Sequence, residues 1–149
     1  MQKVLIIAGC TAVGKSAFAL ELSKSINMEI ISADSVQVYR GIEVATSKPT
    51  KAEERICPQH LINIVSPFEK FNAFNFVDLA KKAIAEIAGR RNLPVVVGGT
   101  GLYIDSLIFG YDFVSDRTHL SDYEFKFVLI EQDRDILYSR INQRVDLMI

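Results

Sequence analysis

The chain has 149 residues, 49% hydrophobic and 23% charged, and its 17 Lys and Arg against 18 Asp and Glu leave a formal charge of −1. That is one domain with enough apolar residues for a real core, which excludes a disordered polyelectrolyte and gives no overall pull toward nucleic acid. Two cysteines are too few for a disulfide framework or a metal cluster, no basic leader precedes the first apolar run, and no run approaches the ~18 apolar residues a bilayer requires. The expectation is a cytoplasmic protein without membrane contact.

The first apolar segment, Val4 with Leu5, Ile6, Ile7 and Ala8, has the continuous hydrophobicity of a strand buried on both faces. It feeds Gly9-Cys10-Thr11-Ala12-Val13-Gly14-Lys15-Ser16, which satisfies GxxxxGK[ST], and residues 16–26 follow as a helix with Phe18, Leu22 and Ile26 on one face. In that context Gly9, Thr11, Ala12, Val13, Gly14, Lys15 and Ser16 form a candidate anion cradle. Backbone N–H groups turn inward at the positive end of the helix, Lys15 adds a full charge, and Ser16 offers a hydroxyl to Mg²⁺. The motif identifies a phosphate chain as ligand, not a reaction.

Further strands are expected at 29–33, 94–98 and 126–130, with the first at 3–8, and helical patterns lie between them. One helix shows in Val77, Ala80, Ile84 and Ile87 and ends near Gly89; another follows Asp133 as N-cap, with Leu137, Ile141, Val145 and Met148 on one face. Such alternation predicts an α/β fold, a P-loop NTPase-like three-layer sandwich with a parallel sheet, as a single domain over 1–149. The longest stretch without periodicity before residue 110 is 41–58, the kind of loop that carries function. Basic groups at Arg40, Lys48 and Lys51, at Lys81 and Lys82, and at Arg90 and Arg91 read as solvated surface. His60 and His119 have no metal-ligand partners at suitable spacing and read as hydrogen-bonding residues, while Tyr39 and Tyr103 read as packing.

Open parallel sheets bind ligands beyond the carboxyl ends of their strands, which singles out 9–16, 34–40 and 98–103. Asp34 follows the second strand and is the candidate general base; its alternative is a turn cap. The third end, Gly98-Gly99-Thr100-Gly101, lacks the closing aspartate of an ATP-hydrolysing site, and its glycines allow close backbone approach to a ligand. Thr100 either contacts substrate or caps the helix beginning near Gly101.

Three segments together, GCTAVGKS, ISADSVQVYRG and LPVVVGGTGLYIDSL, resemble the tRNA dimethylallyltransferase (tRNA isopentenyltransferase) family. Between them, Thr46-Ser47-Lys48-Pro49 and His60-Leu61-Ile62-Asn63-Ile64 are similar to the family's threonine-x-lysine-proline and histidine-leucine-isoleucine-aspartate-isoleucine stretches. The likeness covers 3–110 and resumes over 126–149, where residues 137–146 resemble a late family motif. It implies transfer of a dimethylallyl group from dimethylallyl diphosphate to the exocyclic amine of the adenosine beside the tRNA anticodon, with Mg²⁺ assisting. By the same resemblance Asp34 is the base, Lys15, Thr100 and Arg140 act on the reacting groups, and Asp34, Ser35, Val36 and Gln37 meet the tRNA anticodon loop.

Two departures qualify that reading. Residues 111–125 form a short connector where the family carries a longer helical insertion that grips the anticodon stem, and the family's glutamine-arginine-x-x-arginine motif has no counterpart there. The last helical pattern stops at Ile149 without a capping glycine, which predicts lower stability or self-association. The alternatives are a P-loop small-molecule kinase, or a shortened relative that binds diphosphate without turnover.

Overall fold

A computed structural model of the chain describes residues 1–10, 14–42, 48–110, 123–131, 133, 135, 136 and 139. Five strands run in one sheet: β1 (Gln2–Ala8), β2 (Met28–Ser32), β3 (Gln59–His60), β4 (Leu93–Gly98) and β5 (Tyr123–Leu129). Their order is β3-β2-β4-β1-β5 and every pairing is parallel. The helices are α1 (Lys15–Ser23), α2 (Lys51–Ile56), α3 (Ala73–Gly89) and α4 (Gly101–Phe109).

Strand alternation divides the core into two halves. Val4, Ile6, Ile31, Ala33 and Val96 face α3 and α4, meeting Phe76, Ala80, Ile84, Ile87, Ile104 and Leu107. Ile7, Met28, Ile30, Val95 and Val97 face the other way, toward Ala19 of α1 and Cys57. The result is a P-loop NTPase-like three-layer sandwich, as the strand–helix alternation predicts.

The four expected strands are present, and β5 begins three residues earlier than predicted, pairing Tyr123 with Gln2 at the start of β1. The helix ending at Gly89 is also present, opened by a reciprocal cap between Asn72 and Asn75. Asp133 Oδ1 accepts from the Asp135 N–H at 2.9 Å, as an N-cap should; Leu137, Ile141, Val145, Met148 and Arg140 lie outside the described residues.

The predicted apolar face of α1 needs correction. Leu22 packs partly buried against the core half around Ala19 and Cys57, as expected, but the helix ends at Ser23, so Ile26 lies beyond it, and Phe18 is 41% exposed. Ala19 is the buried contact, because a helix that leaves a tight loop directly onto a sheet needs a small side chain at closest approach. The stretch 41–58 also holds more structure than its lack of periodicity implies. Thr50 and Glu53 form a capping box at the start of α2.

At the amino-terminal edge of the sheet, Glu29 is 3% exposed and gathers four contacts from three residues. Arg90 donates through Nε to Oε1 at 2.8 Å and through a terminal nitrogen to Oε2 at 2.7 Å, Asn92 Nδ2 donates to Oε1 at 2.9 Å, and His60 Nε2 lies 2.6 Å from Oε2. The bidentate Arg90 bond outweighs the desolvation that opposes it, and with Asn92 and His60 it brings the Glu29 pKa from 4.5 down to about 2. His60 is therefore a structural partner on an edge strand, in keeping with its hydrogen-bonding assignment. Because the folded-state pKa is depressed, the stabilisation is complete above about pH 4.5 and is lost as pH falls toward 2; it amounts to about 3 kcal/mol. Acid titration of the thermal unfolding midpoint should show this loss in the wild type, and the Glu29→Gln variant should be less stable at pH 7 with a flatter acid limb. An acid limb unchanged by the substitution would remove Glu29 from this role.

Candidate active site

Three strand ends converge at the carboxyl edge of the sheet. From β1 come Gly9 and Cys10, and the chain re-enters description at Gly14, whose φ of 99° suits glycine and which stands at the N-cap of α1. Lys15 reaches back over the loop and donates through Nζ to the Gly9 carbonyl at 2.9 Å and the Cys10 carbonyl at 2.8 Å. The ammonium is thus held at the end of β1. Ser16 lies exposed in the first turn of α1, while Thr11, Ala12 and Val13 lie outside the described residues.

The end of β4 is fitted to both neighbours by glycine. A Cβ on Gly98 would stand 2.2 Å from the Ala33 carbonyl oxygen, and one on Gly99 would stand 3.1 Å from the Gly9 carbonyl oxygen and 3.5 Å from Lys15 Nζ. Backbone therefore approaches backbone on one side and the loop lysine on the other. Across the first of these contacts, the Ala33 N–H donates to the Val97 carbonyl at 2.8 Å and the Thr100 N–H to the Ala33 carbonyl at 3.3 Å.

Thr100 occupies the N-cap position of α4, yet its side chain makes no capping bond. Its hydroxyl oxygen accepts from the Ser35 N–H at 3.1 Å, which stitches the segment after β2 to the segment after β4. The hydroxyl proton is still available to donate. Of the two readings left open by the sequence, helix capping is the one the geometry does not support.

Asp34 is half-buried at this edge, not in the core. Its Oδ1 accepts from the Val36 N–H at 2.8 Å and the Gln37 N–H at 3.0 Å, so the turn-capping alternative holds for that oxygen. Both roles are compatible, because the turn fixes the carboxylate through one oxygen and leaves Oδ2 as an acceptor. Ser35 and Val36 follow in the turn, Val36 43% exposed, and Gln37 Oε1 accepts from the Ser32 hydroxyl at 2.9 Å. Tyr103 packs below them, stacked on Phe76 at 4.6 Å between ring centroids and edge-on to Phe71. Burial pushes its phenol pKa up, with Tyr39 and Asp34 adding to the shift.

The arm carrying these residues is braced from beneath. Asn63, Ile64 and Val65 donate N–H groups to the carbonyls of Gln37, Val38 and Val38 at 3.0, 2.9 and 3.1 Å, and the Arg40 N–H donates to the Val65 carbonyl at 2.8 Å. Sequence reasoning missed this strap. Its signal was Asn63, whose φ of 56° is one that asparagine tolerates better than most side chains.

Beside the loop lies a largely apolar cleft of about 570 Å³, lined by Ala8, Gly9, Cys10, Gly98, Gly99 and Gly101 with Ile104 of α4 and Leu129, Ile130 and Glu131 at the end of β5. Among the described residues no group of three or more His, Cys, Asp or Glu side chains gathers to hold a metal, and no helix is long and apolar enough to cross a membrane.

A family model described as "IPP transferase" matches residues 37–122, and one described as "Isopentenyl transferase" matches residues 2–60. The chain belongs to this family. A tRNA dimethylallyltransferase of Lactococcus lactis subsp. cremoris (strain SK11) is 35% identical over 201 residues, covering 99% of this chain and 68% of the relative. One from Staphylococcus carnosus (strain TM300) is 51% identical over 118 residues, covering 79% and 37%. Among solved structures, the tRNA isopentenylpyrophosphate transferase of Bacillus halodurans superposes with a TM-score of 0.88 at 32% identity, covering 99% of this chain and 66% of that one. That of Staphylococcus epidermidis gives 0.87 at 28%, covering 99% and 69%. The isopentenyltransferase relatives are longer, and an alignment of 201 residues to a chain of 149 means that the Lactococcus protein carries sequence this chain lacks.

Two substitutions test the junction. Gly98→Ala forces a methyl into the Ala33 carbonyl and should cost at least about 2 kcal/mol in thermal unfolding, since backbone on both sides has to move; an unchanged melting point would show that the strands do not meet so closely. Thr100→Val removes the acceptor of the Ser35 N–H and should cost about 1–2 kcal/mol in urea unfolding, whereas Thr100→Ser should stay near wild type. Equal losses from Val and Ser would point to the Thr100 methyl instead of the hydroxyl.

Proposed function

We propose that the chain transfers a dimethylallyl group from dimethylallyl diphosphate to the exocyclic amine of the adenosine beside the tRNA anticodon. The observation that carries this reading is the convergence of Lys15, Thr100 and Asp34 on adjacent strand ends, with a largely apolar cleft at the phosphate loop. Its support from relatives is that the proteins it resembles are named tRNA dimethylallyltransferases.

The reaction breaks the bond between the allylic carbon and the diphosphate oxygen, and the electron pair leaves with the diphosphate. Lys15 and the loop N–H groups stabilise the charge that develops there. The adenine nitrogen forms the new bond to carbon and gives up a proton, which Asp34 Oδ2 accepts. The two backbone N–H groups on Oδ1 keep that carboxylate from rotating away. Thr100, fixed by the Ser35 N–H, has a hydroxyl proton to donate to a reacting oxygen or nitrogen. The apolar walls at Ile104 and Leu129 suit a five-carbon chain.

Mg²⁺ fits this donor set. It retains several waters and binds largely through substrate phosphates, and the exposed Ser16 hydroxyl is the protein oxygen the phosphate loop would offer it. When bound, the ion neutralises charge on the departing diphosphate. The adenosine has to leave its stack to reach Asp34, at a cost of a few kcal/mol that is smaller in a loop than in a duplex.

Incubation of the protein with Mg²⁺, labelled dimethylallyl diphosphate and unmodified tRNA should place label in the RNA. Asp34→Asn should lower turnover on the order of 10²–10⁴-fold while retaining diphosphate binding, and Lys15→Ala should weaken diphosphate binding itself. Full turnover by Asp34→Asn would dismiss it as the base. Diphosphate binding with no transfer by wild type would favour the shortened, non-catalytic alternative.

A further inference from the structure

We propose that Arg40 and Lys48 together form a binding site for a backbone phosphodiester of the RNA strand. The inference rests on the function proposed above and assigns part of its grip on the acceptor. Both side chains converge on one residue of the strap. Lys48 Nζ donates to the Asn63 side-chain carbonyl at 2.5 Å and to the Tyr39 backbone carbonyl at 2.6 Å, while Arg40 donates through Nε to the Asn63 carbonyl at 3.1 Å and through a terminal nitrogen to the Ile64 carbonyl at 3.3 Å.

Every one of these acceptors is a neutral carbonyl oxygen. Among the described residues no carboxylate forms an ion pair with either cation, so two positive charges gather about Asn63 without an acidic partner among those residues. Donor capacity remains as well: an ammonium has three N–H donors and a guanidinium five, and two are engaged in each case. The carbonyls hold both groups in place, so an arriving anion meets side chains whose rotamers are already fixed. Arg40 is exposed and Lys48 half-buried, which leaves the pair open to a ligand as large as a nucleic-acid strand.

Position selects the anion. Arg40 ends the arm that begins at Asp34, and the Asn63 N–H holds that same arm through the Gln37 carbonyl. A nucleotide presenting its base to Asp34 places its own strand along this arm, where a phosphodiester is the anion at hand. A pair of surface cations read from the sequence as merely solvated thereby becomes an organised contact for the polynucleotide backbone.

The test uses the full chain and an anticodon stem-loop RNA bearing a fluorescent end label, with affinity measured by anisotropy across a salt series. Arg40→Gln and Lys48→Gln should each weaken binding several-fold and lower the slope of log affinity against log salt, and the double variant should lower it by about 0.7, the value for one phosphate contact on a single strand. Arg40→Lys should recover part of the slope, and binding of dimethylallyl diphosphate should not change. Since both residues also brace the arm, melting points are measured in parallel. A loss of RNA affinity that tracks lowered stability with the salt slope intact would overturn the proposal, as would unchanged RNA affinity. A wild type that binds RNA with the expected slope loss in the variants, but transfers no label, would uphold the phosphate contact and sink the transfer reading; label transfer with unaltered slopes would do the reverse.

Discussion

The close approach of β4 to the end of β2 is the constraint on which the site depends. With no side chain at Gly98, the Ala33 carbonyl lies against the β4 backbone, and the segments beyond both strands are near enough for the Thr100 hydroxyl to take the Ser35 N–H. Gly99 extends the same economy of space toward Gly9 and Lys15. Any residue larger than hydrogen at the first position separates the acid-bearing turn from the phosphate loop. The proposed chemistry, which needs a leaving-group cradle and a proton acceptor within one substrate's length, would have its geometry set here, before any ligand binds.

Much of the architecture was legible because it depends on patterns that one sequence displays. Continuous apolar runs at Val4 to Ala8 and Val95 to Val97 announce strands buried on both faces, and the Gly-rich loop between a strand and a helix announces its ligand. What escaped notice was short or set by tertiary contact. β3 has two residues, too few for any periodicity, and owes its place to pairing with β2 and to the contact of His60 with Glu29. α2 announced itself only through Thr50 and Glu53, a capping signal without an apolar face behind it. Phe18 of α1 was misjudged because a large side chain looks like core in sequence, whereas the fully buried contact at a sheet surface next to a tight loop goes to the smallest one, Ala19, with Leu22 packed partly buried against the same half of the core.

In the site, residue types were readable and their partners were not. Asp34 could be named from its place after a strand, but that one oxygen caps a turn and the other stays open follows only from the path of residues 35–37. Thr100 stands where a helix cap belongs and uses its hydroxyl elsewhere, a choice fixed by a residue 65 positions away. Family membership adds the chemistry, since a phosphate loop alone is equally suited to kinases, and the segments beyond that loop separate the two.

Glu29 and its partners occupy the opposite edge of the sheet from Asp34, ~16 Å away at the rise of an extended strand. Anchorage and the proposed reactive carboxylate thus reside at opposite poles of β2, with Ile30, Ile31 and Ala33 buried between them and Ser32 bonded to Gln37. Such a division permits the ionic cluster to change under selection for heat or acid tolerance while the Asp34 end stays fixed, and the reverse. Within one short strand, durability and specificity become independently evolvable traits.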